Sequence, residues 1–187
     1  MSIRWDPLLA RHVAAELNAE LTGARLRAVR LDGRERDLVL FFRDRTLLWR
    51  LHPNRAFPIF REVVEPEEGD LNLKARLRKV YAPLDERIIV FEFMGERRDQ
   101  GPVEVVIELL GNQLNGIVIE GKSRTIRHVL TRRTGRRPAL VGAGYQSPPP
   151  TRRIGSDGTL SRERWDKLMS GHPPDERATE LTRRIAW

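Results

Sequence analysis

The residues whose types and spacing could do chemistry in this sequence are mostly cations. From Gly121 to Arg153 there are nine basic residues and no Asp or Glu: Lys122, Arg124, Arg127, Arg132, Arg133, Arg136, Arg137, Arg152 and Arg153. The net charge of the whole chain is +8, so everything outside this stretch sums to −1. The excess is local, and arginine heavily outnumbers lysine. A planar guanidinium makes bidentate contacts with phosphate and stacks on bases, which points to an anionic partner and to nucleic acid in particular. The pairs Arg132-Arg133 and Arg136-Arg137 lie in a segment interrupted by Gly and Thr, which predicts mobile, interchangeable phosphate clamps. A second constellation is Asp85-Glu86-Arg87, at the mouth of the most strongly β-branched run in the chain. An arginine starting a rigid strand beside two carboxylates would have its guanidinium held in one orientation, and a preorganised side chain discriminates between ligands better than a loose one.

Other chemistry has little to rest on. The four histidines (His12, His52, His128 and His172) are scattered without metal-ligand spacing. Glu92, Glu104 and Glu108 alternate with apolar residues and read as a solvated sheet face, not as paired catalytic carboxylates. No Gly-rich phosphate loop opens a helix, and no serine stands in an elbow motif. There are no cysteines, which removes disulfides, thiolate catalysis and cysteine zinc sites together. The expectation is therefore a binding protein and not an enzyme, with no cofactor, no metal and no small-molecule substrate.

The elements that must position these residues can be read in order. Asp6 is a good N-cap and Pro7 suits the first helical position. Leu9, Val13, Leu17 and Leu21 then make an apolar stripe, and Gly23 stops the helix. Short strands follow over Leu26 to Leu31, Leu38 to Phe42 and Leu47 to Leu51, with Asp32-Gly33 and Arg43 to Thr46 as turns. Phe57 to Phe60 is expected at a sheet edge, because Pro58 cannot donate to a central ladder. Glu62 to Asp70 is an acidic loop. Leu73 to Tyr81 alternates cations with apolar residues and is either a half-buried strand or a short basic helix. Arg87 to Met94, Val103 to Leu109, Gly116 to Glu120 and Thr125 to Leu130 are further strands. Gly142, Gly144 and Pro148 to Pro150 read as a linker, beyond which Leu160 to Met169 and Asp175 to Trp187 are helical in composition. The longest apolar runs are too short to cross a membrane, and no apolar leader opens the chain, which predicts a cytoplasmic protein.

These pieces, in this order, resemble the N-terminal domain of the NFACT family, which carries the older label fibronectin-binding protein A-like. Glu16-Leu17 through Leu21-Thr-Gly23-Ala24-Arg-Leu26 is similar to the family's opening phrase. Glu86-Arg87-Ile88 with Phe91-Glu-Phe93 resembles its Asp-Arg-Ile motif entering a Phe-rich strand. Glu108-Leu-Leu-Gly111 with Asn115, and Gly142-Ala-Gly-Tyr145-Gln-Ser-Pro148-Pro-Pro150, are similar to its later motifs. One departure stands out: a helix with a Pro-Pro-x-Phe and Leu-Arg-Lys signature precedes the second strand group in the family, and Glu62 to Asp70 occupies its place here. The chain also stops at Trp187, inside what would be a helix–two-turn–helix region, as either a fragment or a reduced stand-alone version.

The resemblance implies an α+β fold: an N-terminal helix and a two-layer antiparallel β-sandwich, like the N-terminal domain of formamidopyrimidine-DNA glycosylases, with a truncated helical segment after it. Residues 1–150 would form the sandwich domain and 151–187 the linker and the start of the helical region. It further implies a non-catalytic RNA-binding module of ribosome-associated quality control, whose partners are tRNA and the large ribosomal subunit. Arg87 inherits a tRNA-facing role from the Asp-Arg motif, with either Glu86 or Asp85 as its acidic companion. Lys122, Arg124, Arg127, Arg132, Arg133, Arg136 and Arg137 would supply phosphate contacts. The alternatives are a degenerate DNA-glycosylase-like DNA-binding domain, although Ser2-Ile3 stands where such enzymes carry Pro-Glu, and a surface adhesin as the older label implies.

Overall fold

The chain opens with helix α1, Pro7–Leu21, and its start follows the capping rule closely. Asp6 is extended, and its carboxylate accepts a hydrogen bond from the Leu9 amide at 2.8 Å. The buried stripe is Pro7, Ala10, Ala14, Leu17 and Leu21, while Leu9 and Val13 are only half-buried. The two alanines bring the helix backbone close to the sheet. Asn18 on the same helix accepts from the Val80 amide at 2.8 Å, and Gly23, at φ 84°, donates to the Leu77 carbonyl at 2.9 Å. The computed structural model describes residues 5–53, 56–95, 101–110, 113–149, 161–171, 173–176 and 179.

Among the described residues nine strands follow: β1 Arg25–Asp32, β2 Asp37–Phe42, β3 Thr46–Arg50, β4 Phe57–Arg61, β5 Leu71–Tyr81, β6 Ile88–Gly95, β7 Val103–Leu110, β8 Gln113–Glu120 and β9 Thr125–Val129. They form one sheet in the order β4-β3-β2-β1-β5-β6-β7-β8-β9, and every pair is antiparallel. The sheet folds over on itself, which makes the two layers of the expected α+β sandwich from one continuous ribbon. Register shifts in β1, β5 and β8 are the places where such a sheet can bend. The layers meet closely. A methyl added to Gly116 of β8 would lie 2.7 Å from Leu38 of β2, and the Arg36 guanidinium donates across to the Leu114 carbonyl at 3.1 Å. Trp49 of β3 meets Phe91 of β6 edge to face at 6.3 Å, and Phe42 sits 6.5 Å from Phe93.

The ambiguity at Leu73 to Tyr81 resolves as strand: Leu73, Ala75 and Leu77 point into the core, while Lys74, Arg76 and Arg78 face solvent. Pro58 does lie on the edge strand β4. The linker reading of Gly142 and Gly144 is corrected. Ile126 donates to Ala143, Gly142 donates to Ile126 and Tyr145 donates to Arg124, each at 2.8 Å, so residues 142–145 run along β9 and cover the sheet edge. Glycine there permits a bend (Gly142 has φ 86°), not a boundary. The expected boundary at 150 falls on residues outside those described. Helix α2, Arg162–Ser170, is capped by Ser161, and residues 174–176 and 179 are helical; the other residues of the helix expected over Asp175 to Trp187 lie outside the described residues. Among the described residues no helix is long and apolar enough to cross a membrane.

Candidate nucleic-acid interface

The sheet has a second apolar face. Ile88, Val90, Val106, Ile117, Ile119 and Ile126 point away from the main core, and they are covered by Ala139 and Tyr145 from the segment that follows β9. Folding that segment back over the sheet carries its arginines onto β7. The Glu108 side chain is fully buried beneath it. Its carboxylate accepts from Arg133 at 2.9 Å, from Arg137 in a short contact, and from the Tyr145 hydroxyl at 3.1 Å. Arg133 and Arg137 are each about four-fifths buried as side chains (20% and 21% exposed), and each also donates to a backbone carbonyl, of Arg137 and of Gln146 respectively.

This corrects two expectations. Glu108 does not belong to a solvated face; it is an internal carboxylate neutralised by two guanidiniums. Arg133 and Arg137 are not mobile clamps interchangeable with their neighbours, because ion pairing inside a covered site fixes them. The neighbours differ. Arg132 and Arg136 are exposed and make no ion pair among the described residues. Arg124 pairs with Glu104 at 2.7 Å and lies over the Tyr145 ring at 5.2 Å. Arg127 pairs with Glu120 at 2.6 Å on the exposed side of β9, and Lys122 is exposed in the β8–β9 turn. The run without acids in sequence thus meets its acids in space, on β7 and β8.

The Asp85-Glu86-Arg87 turn comes to the same place. Asp85 is buried with φ 56°, a left-handed conformation that costs a non-glycine residue and tightens the turn into β6. The Arg87 carbonyl accepts from the Leu109 amide at 2.8 Å, which anchors the turn beside Glu108. The Glu86 carboxyl is pushed above its usual range by burial and by the charge of Asp85, against the lowering pull of Arg137 and Arg87. Arg87 itself makes no ion pair among the described residues, so the expectation that two carboxylates hold its guanidinium is corrected: it acts on Glu86 as a nearby charge only. Between the turn and the segment after β9 lies a cleft of about 280 Å³, walled by Tyr81, Pro83, Glu86, Arg124, Tyr145 and Pro148.

Of the sequence-predicted residues, Glu86 and Arg124 line this cleft, Arg133 and Arg137 hold Glu108, and the Arg87 backbone is anchored to Leu109 next to it. Lys122, Arg127, Arg132 and Arg136 remain on the outer surface. Glu108, Tyr81 and Tyr145 were missed as site residues. The available signal was complementarity: three glutamates on strands and an acid-free run of arginines are what a covered ion-pair network looks like before folding.

The chain matches the family described as NFACT N-terminal and middle domains over residues 6–186. It belongs to that family. Among solved structures, the N-terminal domain of fibronectin-binding protein PavA from Streptococcus pneumoniae superimposes with a TM-score of 0.77 at 19% identity, covering 97% of this chain and 78% of that one. The N-terminal part of the fibronectin/fibrinogen-binding protein from Streptococcus suis gives 0.74 at 20% identity, covering 91% and 70%. The fibrinogen binding protein from Staphylococcus aureus gives 0.71 at 17% identity, covering 96% and 69%. At these identities the likeness carries the fold alone. No curated protein matches the chain.

Proposed function

We propose that this NFACT-family chain is an RNA-binding module of the ribosome quality-control type, cytoplasmic and non-catalytic by itself, which engages tRNA and the large ribosomal subunit. One observation carries the reading: a turn at residues 85–87 and a basic segment some forty residues later fold together around a cleft lined by tyrosine, proline and arginine. Aromatic walls beside guanidiniums suit an unpaired base and the phosphates next to it. Exposed Lys122, Arg132 and Arg136 supply the non-specific electrostatic contribution.

Competition of folded tRNA against a homopolymer tests it, with circular dichroism as the folding control. Arg132→Ala with Arg136→Ala should weaken both RNAs alike and shallow the salt dependence by about 1.4 to 1.8 log units per log unit of salt, at ~0.7 to 0.9 per phosphate. Arg87→Ala should reduce the preference for tRNA and leave that slope nearly unchanged. Equal loss for both RNAs would make Arg87 one more phosphate contact, and salt-independent binding would overturn the electrostatic account. A second reading follows from the names of the solved relatives, that the chain binds fibronectin; fibronectin titrated in the same buffer decides between them.

A further inference from the structure

The outer face of β1 and β5 carries a separate set of cations. Lys74, Arg76 and Arg78 alternate with core residues along β5 and all leave from the exposed side. Arg25 of β1 is the register partner of Arg76, which brings cations of two neighbouring strands together, and the Arg76 guanidinium donates to the Gly23 carbonyl at 3.1 Å. Arg43, just past β2, is drawn to the same spot, because its amide donates to the Arg25 carbonyl at 2.9 Å. Arg25, Arg27, Arg43 and Lys74 form one wall of an open groove of about 730 Å³. An adjoining groove of about 590 Å³ runs on past Arg76 and Arg78, of which Arg78 is paired with Glu92 at 3.0 Å.

The other wall of the larger groove is acidic and belongs to the loop between β4 and β5: Glu65, Glu67, Glu68 and Asp70. With Arg30, which pairs with Glu67 and Asp70 behind that wall, five cations meet four carboxylates, so the groove as it stands is close to neutral. The Val64 amide ties the loop to the Thr46 hydroxyl at 3.0 Å, and the side-chain ion pairs on either side of that point are of unequal strength. At one end Arg30 makes paired hydrogen bonds to Asp70 at 2.7 and 2.8 Å, over the Phe41 ring, and the Asp70 side chain is only 6% exposed. At the other end Glu65 forks onto Arg27 in a bidentate pair whose side chains are 71% and 40% exposed. A pair that open to water contributes little and is screened by salt. The fork also takes the same two N–H donors that a phosphate's oxygens would take.

We propose that this groove binds the phosphodiester backbone of single-stranded RNA, and that residues 62–68 are a tethered competitor whose Glu65 end leaves Arg27 when RNA enters. The site shares no residue with the cleft lined by Glu86 and Arg124, nor does it include Arg87; it rests on the reading above only in taking RNA as the nucleic acid.

The test is a titration of the full chain with a short labelled oligouridylate at several salt concentrations. Glu65→Gln with Glu68→Gln should tighten binding about three- to tenfold at low salt, an effect that fades as salt is added. Arg43→Ala with Lys74→Ala should weaken binding and shallow the salt slope by about 1.4, at ~0.7 per phosphate of a single strand. In the four-fold variant the tightening should vanish, while Arg11→Ala on the exposed side of α1 should change nothing. If the glutamine pair has no effect, or if its tightening survives in the Arg43/Lys74 variant, the loop is a structural staple and the groove proposal is overturned. Should the double glutamine variant melt early, Glu68→Gln alone breaks no ion pair among the described residues and must still tighten binding. Loss of the Arg87-dependent tRNA preference with the groove pattern intact overturns the cleft and keeps the groove; the reverse pattern does the opposite.

Discussion

Replacing Glu108 by alanine would remove the one carboxylate that two arginines and a tyrosine share beneath the segment after β9. The side chain is fully buried, and three side-chain donors converge on it. Removing one partner from a buried ionic network costs about 3–5 kcal/mol, because the remaining charges are left uncompensated. Water can still reach Arg133 and Arg137, which are 20% and 21% exposed, and this places the expected loss at the lower end, about 3 kcal/mol. For a domain of this size each kcal/mol moves the melting temperature by roughly 2–4 °C, so the variant should melt about 6–12 °C lower. Glu108→Gln keeps the size and one acceptor oxygen but turns an NH₂ toward a guanidinium, so it should fall between the two.

The global melt alone could miss a local release, so hydrogen exchange is the companion assay. The amides of Arg133, Ala139, Gly142 and Tyr145 bond within the covering segment, onto β9 or to Arg124 just before it, and they should lose protection in Glu108→Ala before the β6–β7 amides do. A drop below about 2 °C with unchanged protection would refute the reasoning, since by the same scale that is under ~1 kcal/mol, the worth of a surface pair. Arg133 and Arg137 would then be available for phosphate after all.

Gly116→Ala should cost about 1–2 kcal/mol by overpacking, since its methyl would meet Leu38 at 2.7 Å and Leu31 and Leu51 at 3.4 Å; a urea melt measures it, and a neutral result would mean the two layers stand further apart. The chain has two tyrosines, and both phenols are pushed above their ordinary value near pH 10, chiefly by burial and secondarily by a glutamate, Glu104 for Tyr81 and Glu108 for Tyr145. A raised folded pKa means the neutral phenol is the favoured folded form, so its contribution is intact below about pH 10 and is lost as pH rises past it. Phenolate absorbance should therefore appear only above pH 10 and together with unfolding. Tyr145→Phe should lose about 1–2 kcal/mol at neutral pH and flatten the alkaline fall; a Tyr145 that titrates at its ordinary value in the folded protein would refute this.

The elements that were legible in the sequence are those decided locally. An aspartate cap, a proline at the first helical position and a Pro-bearing edge strand each follow from the chemistry of one or two residues, and all three are where that chemistry puts them. The basic strand β5 was undecided because its cations satisfy either period, and only its inward partners settle it: Val29 of β1 lies opposite Leu71, and Phe91 of β6 opposite Val80. Gly142 and Gly144 were misread for a related reason. Glycine and proline mark bends wherever they occur, and nothing local says whether a bend leaves the domain or turns back onto it. The Ile126–Ala143 hydrogen bond that answers the question is long-range.

The same limit explains why the charge was right in sum and wrong in detail. A run of arginines without acids looks unpaired along the chain, but an antiparallel sheet brings distant segments within hydrogen-bond reach, and β7 places Glu104 and Glu108 on the face that the basic run comes to cover. Of the seven cations predicted in that run, Arg124, Arg127, Arg133 and Arg137 carry ion pairs with three glutamates, so the described lobe keeps 7 − 3 = 4 of its positive charges. Lys122, Arg132 and Arg136 are the cations left to meet a polyanion, and the paired ones shape the surface that presents them. The β1–β5 groove obeys the same rule in reverse. There the carboxylates sit on a loop tethered firmly at Asp70 and weakly at Glu65, and a weak tether between exposed charges is one that a denser line of negative charge can displace.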